Sequence, residues 1–137
     1  MPKIVVVTSQ GVTKSGHAGL PFLLRPVYAM LDQPHADKAG VEQVAAYSVG
    51  RDWQEPDATG LVLPEGWRER LGDHPGWLKS IVVVRPALLT NGPETAKYRV
   101  LDSSSYTVSR RDVAHFIVRK VISEWSTYEG KAVTVAY

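Results

Sequence analysis

Lys3-Ile-Val-Val-Val-Thr-Ser9 and Ser80-Ile-Val-Val-Val-Arg-Pro86 decide the fold, because each sets a continuous β-branched run ahead of a break. Neither run alternates apolar with polar residues. Continuous apolar runs of this length suit central strands of a parallel sheet covered on both faces. Two parallel neighbours need a long crossover, usually helical, between them. The intervening residues supply two helical stretches. Leu20 to Leu31 is apolar and aromatic, with Pro21 near its start and Pro26 placed to kink or split it. Asp37 to Tyr47 sets Val41, Val44 and Ala45 on one face, with Asp37 and Glu42 toward the end where the helix dipole favours acids.

Downstream, the clearest helix is Arg110 to Ser123. Ser109 is a good N-cap, Asp112 makes a capping-box-like pair with it, and Val113, Phe116, Ile117, Lys120 and Val121 follow at helical spacing. Lys131 to Tyr137 is a third strand, less regular than the first two. Tyr98 to Leu101 is a short fourth, expected near Tyr106 to Val108. Strand, helices, strand, helix, strand reads as α/β with right-handed crossovers: about three parallel strands with flanking helices. Residues 1–137 form one domain, interrupted at 50–79 by a segment rich in Gly and Pro. Its three tryptophans, Trp53, Trp67 and Trp77, should be at least partly buried against the body of the domain.

Composition narrows the function classes. The 137 residues are 44% hydrophobic and 22% charged, as in an ordinary globular protein. Sixteen basic and fourteen acidic residues are mixed along the chain for a formal charge of +2, which leaves no footprint for nucleic acid or an anionic membrane. Zero cysteines exclude disulfides, cysteine nucleophiles and thiolate metal sites. The run Ile4 to Val7 is too short for a signal peptide or a membrane span, so a cytoplasmic location is the default expectation.

Several motifs fail on inspection. Gly11 and Gly16 have the spacing of a phosphate-binding loop, but His17 and Ala18 stand where Lys and Ser/Thr should reach the phosphates and Mg²⁺. No G-x-G-x-x-G occurs, so the turn that lets backbone approach a pyrophosphate is missing. The four histidines include no H-E-x-x-H and no helical i, i+4 pair, and no metal site is expected. His35 and Asp37 read as a capping arrangement at a helix start, and His115 as a structural histidine beside an apolar helix face. Ser9 ends its strand outside any G-x-S-x-G elbow, which removes hydrolase chemistry.

Ile4-Val-Val-Val-Thr-Ser9, Pro34-His-Ala-Asp-Lys38 leading to Glu42, Val84-Arg-Pro-Ala-Leu88 and Tyr106-Thr-Val-Ser-Arg-Arg-Asp-Val-Ala-His-Phe116 follow one another in an order that resembles the atypical short-chain dehydrogenases. The likeness is to the NAD(P)H-binding, NmrA-like branch, and within it to uncharacterised fungal members with a comparable insertion. The resemblance implies a partial Rossmann-like fold lacking the N-terminal half, and NAD(P) as the cofactor if there is one. It implies that Ser9 lies near the nicotinamide, that Lys38 hydrogen-bonds the nicotinamide ribose, and that Arg85-Pro86-Ala87 lines the pocket. Ser9 and Lys38 are also its candidate catalytic residues. The Ser109–Asp112 helix start is shared with that group, and capping explains it.

Two departures matter. A tyrosine four residues before the lysine is the usual acid/base, with the lysine lowering its pKa; Pro34 holds that position here. The strand and Gly-rich turn of such a domain half belong roughly a hundred residues ahead of the Ser9 strand. The expectation is therefore a fragment or truncated member of an oxidoreductase-like group, with weak or no cofactor binding alone. The alternatives left open are a non-catalytic dinucleotide-sensing or regulatory protein, and a self-associating one. An exposed first strand would favour a homodimer. The substrate is not specified by fold-level likeness.

Overall fold

The computed structural model describes residues 3–12, 21–30, 32–53, 58–72, 74–101 and 105–137. In chain order the elements are β1 (Ile4–Val7), α1 (Arg25–Ala29), α2 (Asp32–Ser48), α3 (Trp67–Arg70), β2 (Ile81–Pro86), β3 (Leu88–Thr90), β4 (Arg99–Leu101), β5 (Thr107–Ser109), α4 (Arg110–Phe116), α5 (Trp125–Tyr128) and β6 (Ala132–Ala136). The main sheet has the order β1-β2-β6-β4, and β3 and β5 form a two-stranded parallel ribbon beside it. Within the main sheet β1 and β2 run parallel, from Ile4 opposite Ile81 to Val7 opposite Val84. Strand β6 continues the parallel set against β2, and β4 closes the far side antiparallel.

The two apolar runs separate into faces by simple alternation. Val82, Val84, Val133 and Val135 point one way and pack with Val113, Phe116 and Val121, the anchors of the downstream helix. Ile4, Val6 and Ile81 point the other way, onto Ala45 and Val49 of the α2 end, with Leu78. That downstream helix changes character after Phe116, where residues Ile117–Val121 form a π turn. The Ile122 N–H donates to the Ile117 carbonyl, five residues back. In an α-helix a residue five positions on would face roughly 140° away. The wider turn returns Val121 to the side of Phe116, and both are fully buried.

Several elements differ from their sequence-based expectation. Helix α2 starts at Asp32 rather than Asp37. Pro34 falls in its first turn, where the missing N–H has no intrahelical partner to lose. His35 and Asp37 accordingly sit inside the helix, not at its cap. Pro26 splits the upstream stretch, leaving a 3₁₀ turn at Phe22–Leu24 ahead of α1. Strand β4 pairs with β6, and β5 pairs with β3.

The 50–79 segment is organised by α2. Residues 58–67 dock on the helix face that carries Gly40, Gln43 and Tyr47, while Leu78 packs on the sheet side with Ile4 and Ile81. Gly40 permits this approach, since a Cβ there would lie 2.8 Å from Val62 Cγ2. The buried Ala58 N–H donates to Gln43 Oε1 at 2.8 Å, and Trp67 stacks edge-on to Tyr47 with ring centroids 5.3 Å apart. Trp67 is buried and Trp53 half-buried, whereas Trp77 is 57% exposed and is the least covered of the three. Trp77 follows the Pro75-Gly76 turn, where Gly76 meets Gly50 backbone to backbone and leaves the indole outside.

Candidate functional site

Parallel strands that start together also end together, and the residues following β1 and β2 meet at one edge of the sheet. Pairing runs on past β1: the Thr8 N–H donates to the Val84 carbonyl at 2.9 Å and the Gln10 N–H to the Pro86 carbonyl at 3.0 Å. Thr8, Ser9 and Gln10 are all buried. Glu42 reaches this edge from α2. Its carboxylate, 2% exposed, accepts from Thr8 Oγ1 at 2.6 Å, from Arg85 Nε at 3.0 Å and from Arg85 Nη2 at 2.5 Å. A buried carboxylate is tolerable only when its lone pairs are satisfied this fully. Arg85 is thereby committed to Glu42 in an ion pair between β2 and α2.

The heights along α2 place Lys38. Ala45 and Val49 pack near Ile4 and Ile81, at the beginnings of the strands, whereas Glu42 stands at their ends. Lys38 is one turn further in the same direction and on the same face, about 6 Å beyond Glu42. It is half-buried. Among the described residues no hydrogen bond or ion pair joins Lys38 to Ser9 or Arg85. Pro86 and Ala87 are buried walls of this edge, and the Ala87 N–H donates to the Val135 carbonyl at 3.0 Å. Ser9, Lys38 and the 85–87 turn therefore share one edge. A cavity of about 150 Å³ between α2 and the sheet takes in Glu42, Val83 and Arg85, but neither Ser9, Lys38 nor Ala87.

Other groups at this edge were not picked out by the sequence. The Gln10 amide pairs with the backbone of Ser105 like a peptide group: its Nε2 donates to the Ser105 carbonyl at 2.5 Å and its Oε1 accepts from the Ser105 N–H at 2.8 Å. The cap at Ser109 is also more than a cap. Ser109 Oγ accepts from the Asp112 N–H and donates to the Pro93 carbonyl. The Asp112 carboxylate, fully buried, accepts from Thr95 N–H (2.8 Å), Thr95 Oγ1 (2.7 Å), Ala96 N–H (2.8 Å) and Tyr137 Oη (2.6 Å). Burial pushes the carboxyl up, but the hydrogen bonds from Tyr137, Thr95 and Ala96 outweigh it and hold the group well below the usual carboxylate range. They also hold Ala96 at φ 55°, a left-handed conformation that costs a residue with a Cβ.

Nearby, Tyr98 Oη lies 2.8 Å from His115 Nδ1. Burial, followed by the Asp112 charge, pushes the Tyr98 phenol upward. Within the described residues no group of three or more His, Cys, Asp or Glu is placed to hold a metal ion, and no helix is long and apolar enough to cross a membrane.

No family model matches the chain, and no curated protein matches it in sequence. Solved structures do share its architecture. The oxidoreductase ylbE from Lactococcus lactis aligns over 96% of this chain and 44% of its own, with a TM-score of 0.62 and 12% identity. A short-chain dehydrogenase/reductase from Veillonella parvula aligns over 96% and 49%, with a TM-score of 0.51 and 14% identity. A structure from the same organism, of a short-chain dehydrogenase/reductase in complex with NADP, is a looser match at TM-score 0.48, 13% identity, and 97% and 49% coverage. The fold is Rossmann-like. At these identities the likeness is one of fold, and the chain spans about half the length of the structures it matches.

Proposed function

We propose that this chain is the nicotinamide-side half of an NAD(P)-binding, oxidoreductase-like domain of the NmrA-like branch, with weak or no dinucleotide affinity by itself. The observation that carries this reading is the shared edge: β1 and β2 end side by side, and the Lys38 turn of α2 rises past them. Open α/β sheets bind ligands outside the carboxyl ends of their strands. The groups present fit the nicotinamide riboside end of a dinucleotide. Lys38 supplies a cation and three donors for ribose hydroxyls, Ser9 a hydroxyl at the strand end, and Arg85 to Ala87 a wall. They do not fit its phosphates: Arg85 is spent on Glu42, the Ala87 N–H on Val135, and the sequence holds no Gly-rich turn.

When bound, the nicotinamide supplies hydride transfer. The chain's own contribution is to orient that ring and exclude water from one side of it. A proton donor at the usual place is missing, since Pro34 stands in the first turn of α2 four residues before Lys38. This favours, as a second reading, a dinucleotide-sensing or regulatory role without turnover.

Titration with NADPH and NADH, followed by heat shift and calorimetry, tests the proposal. Binding in the range of about 1 mM, equivalent to about 4 kcal/mol, is expected for a half-site. Lys38→Ala and Ser9→Ala should each remove it. Binding that is unaffected by both substitutions would overturn the assignment. Turnover with carbonyl, quinone or flavin acceptors then separates an enzyme from a sensor.

A further inference from the structure

We propose that the chamber between α2 and the strands β2 and β6 binds a small aromatic carboxylate, its ring held among aliphatic side chains and its carboxylate on the free edge of the Arg85 guanidinium. The chamber measures about 150 Å³. An apolar cavity of about that volume accepts a benzene-sized ring. None of its walls belongs to β1 or to residues before it, and it takes in neither Ser9, Lys38 nor Ala87. It is therefore a different place from the strand-end edge proposed for nicotinamide, and it is not built on the outer edge of β1.

The walls follow from two periodicities. On α2, Glu42, Ala45, Ala46 and Val49 recur at i, i+3, i+4 and i+7, the spacing that turns one helix face to the sheet. On β2, Ile81, Val83 and Arg85 alternate onto that same side, and Ala132 stands beside Val83 on β6. Alanine at 45, 46 and 132 leaves the space between the two layers unfilled. The consequence shows at Val83. Its neighbours Val82 and Val84 are fully buried, whereas Val83 is half-buried although its strand is paired on both sides. The half-buried Trp53 adds an aromatic wall.

Charge selects the ligand. At the strand ends Glu42 takes the Nε and Nη2 edge of Arg85. Nη1 has no acceptor among the described residues, although the side chain is only 23% exposed. A guanidinium holds five N–H donors in a fixed fork, so a second carboxylate completes it. At the mouth stand the exposed Arg51, Lys131 and Asp52, with Arg51 pinned by its donation to the Gly130 carbonyl. Arg51, Arg85 and Lys131 against Glu42 and Asp52 leave one positive charge around the chamber, which a monocarboxylate cancels. A cationic ligand is repelled, and an acid without an apolar body leaves the alanine and valine walls uncovered.

Benzoate is the probe, titrated into the full chain and followed by calorimetry and methyl NMR. It should saturate one site per chain. Its ring current should shift the methyls of Ala46, Val49 and Ala132 but not those of Val113 and Val121 on the other face of the sheet. Benzyl alcohol, with the ring and no charge, and acetate, with the charge and no ring, should each bind about tenfold or more weaker. Ala132→Leu, at an exposed position, fills the chamber and should abolish binding with the circular dichroism unchanged. Replacing Glu42 and Arg85 together by methionine removes the guanidinium without stranding a charge, and should erase the preference for benzoate over benzyl alcohol. No dinucleotide enters the measurement, so its failure is distinct from failure of the nicotinamide reading. The proposal is overturned by the absence of saturable benzoate binding, by binding that Ala132→Leu leaves intact, or by benzyl alcohol or acetate binding as tightly as benzoate.

Discussion

Replacing Asp112 by alanine removes the acceptor of four hydrogen bonds at once while leaving its backbone N–H on the Ser109 cap. Hydrogen bonds to a charged acceptor are worth about 1.5–3 kcal/mol each. The donors at Thr95, Ala96 and Tyr137 belong to exposed residues, so water recovers part of that. Loss of the latch should cost about 3 kcal/mol, a large share of the 5–15 kcal/mol typical of a domain. Asp112→Asn keeps one acceptor oxygen and should cost about half as much.

The pH dependence gives a second readout with a definite sign. The folded carboxyl titrates below its unfolded value, so its stabilisation is present above about pH 4 and is lost as pH falls through and below that point. Urea unfolding at pH 7 and at acid pH should show the wild type losing ground to both variants as the acid is added. If Asp112→Ala lies within about 0.5 kcal/mol of wild type at neutral pH with an unchanged m-value, the 93–96 segment is held by something else.

Two further substitutions test the reading of the site. Glu42→Ala should destabilise by about 3 kcal/mol, because it strands Arg85 and the buried Thr8 hydroxyl; combining Glu42→Met with Arg85→Met should restore much of that in thermal unfolding, and no restoration would mean that Arg85 has another duty. Ala96→Gly should stabilise by about 0.5 kcal/mol, the relief at φ 55° exceeding the extra freedom of glycine when unfolded; a destabilised variant would show that the conformation carries no strain.

The parts of the fold legible in the sequence are those where burial alone dictates residue type. Ile81 to Val84 is β-branched throughout because both faces of β2 are covered, and Val113, Phe116 and Val121 are spaced by the need to reach one side of the sheet. The pattern of β1 is as apolar as that of β2, although among the described strands it has a neighbour on one side only. Polar residues inside the fold are harder. Glu42 and Gln43 look like solvated helix positions, yet one faces the sheet edge and the other the docked 58–67 residues, and both are 2% exposed. Their partners lie 34, 43 and 15 residues away, distances over which periodicity carries no information. Asp112 was readable as a capping residue from its spacing to Ser109, but Thr95 and Tyr137 could be joined to it only in three dimensions.

The commitment of Arg85 to Glu42 bears directly on affinity at this edge. The resemblance implies only that the Arg85-Pro86-Ala87 turn lines a pocket at this edge. Here the edge satisfies itself: Thr8 and Arg85 on Glu42, Gln10 on Ser105, and the Ala87 N–H on Val135. On the proposed reading, Ser9 and Lys38 are the resemblance-derived side chains that would remain for a ligand. Association alone costs an estimated 4–15 kcal/mol in lost translation and rotation, more than a hydroxyl and one half-buried ammonium return. Tight binding at this edge therefore needs phosphate donors from other elements engaged in the same event. The contribution of Lys38 would then be read more clearly as a fold-change in such an assembled site than as an affinity of this chain.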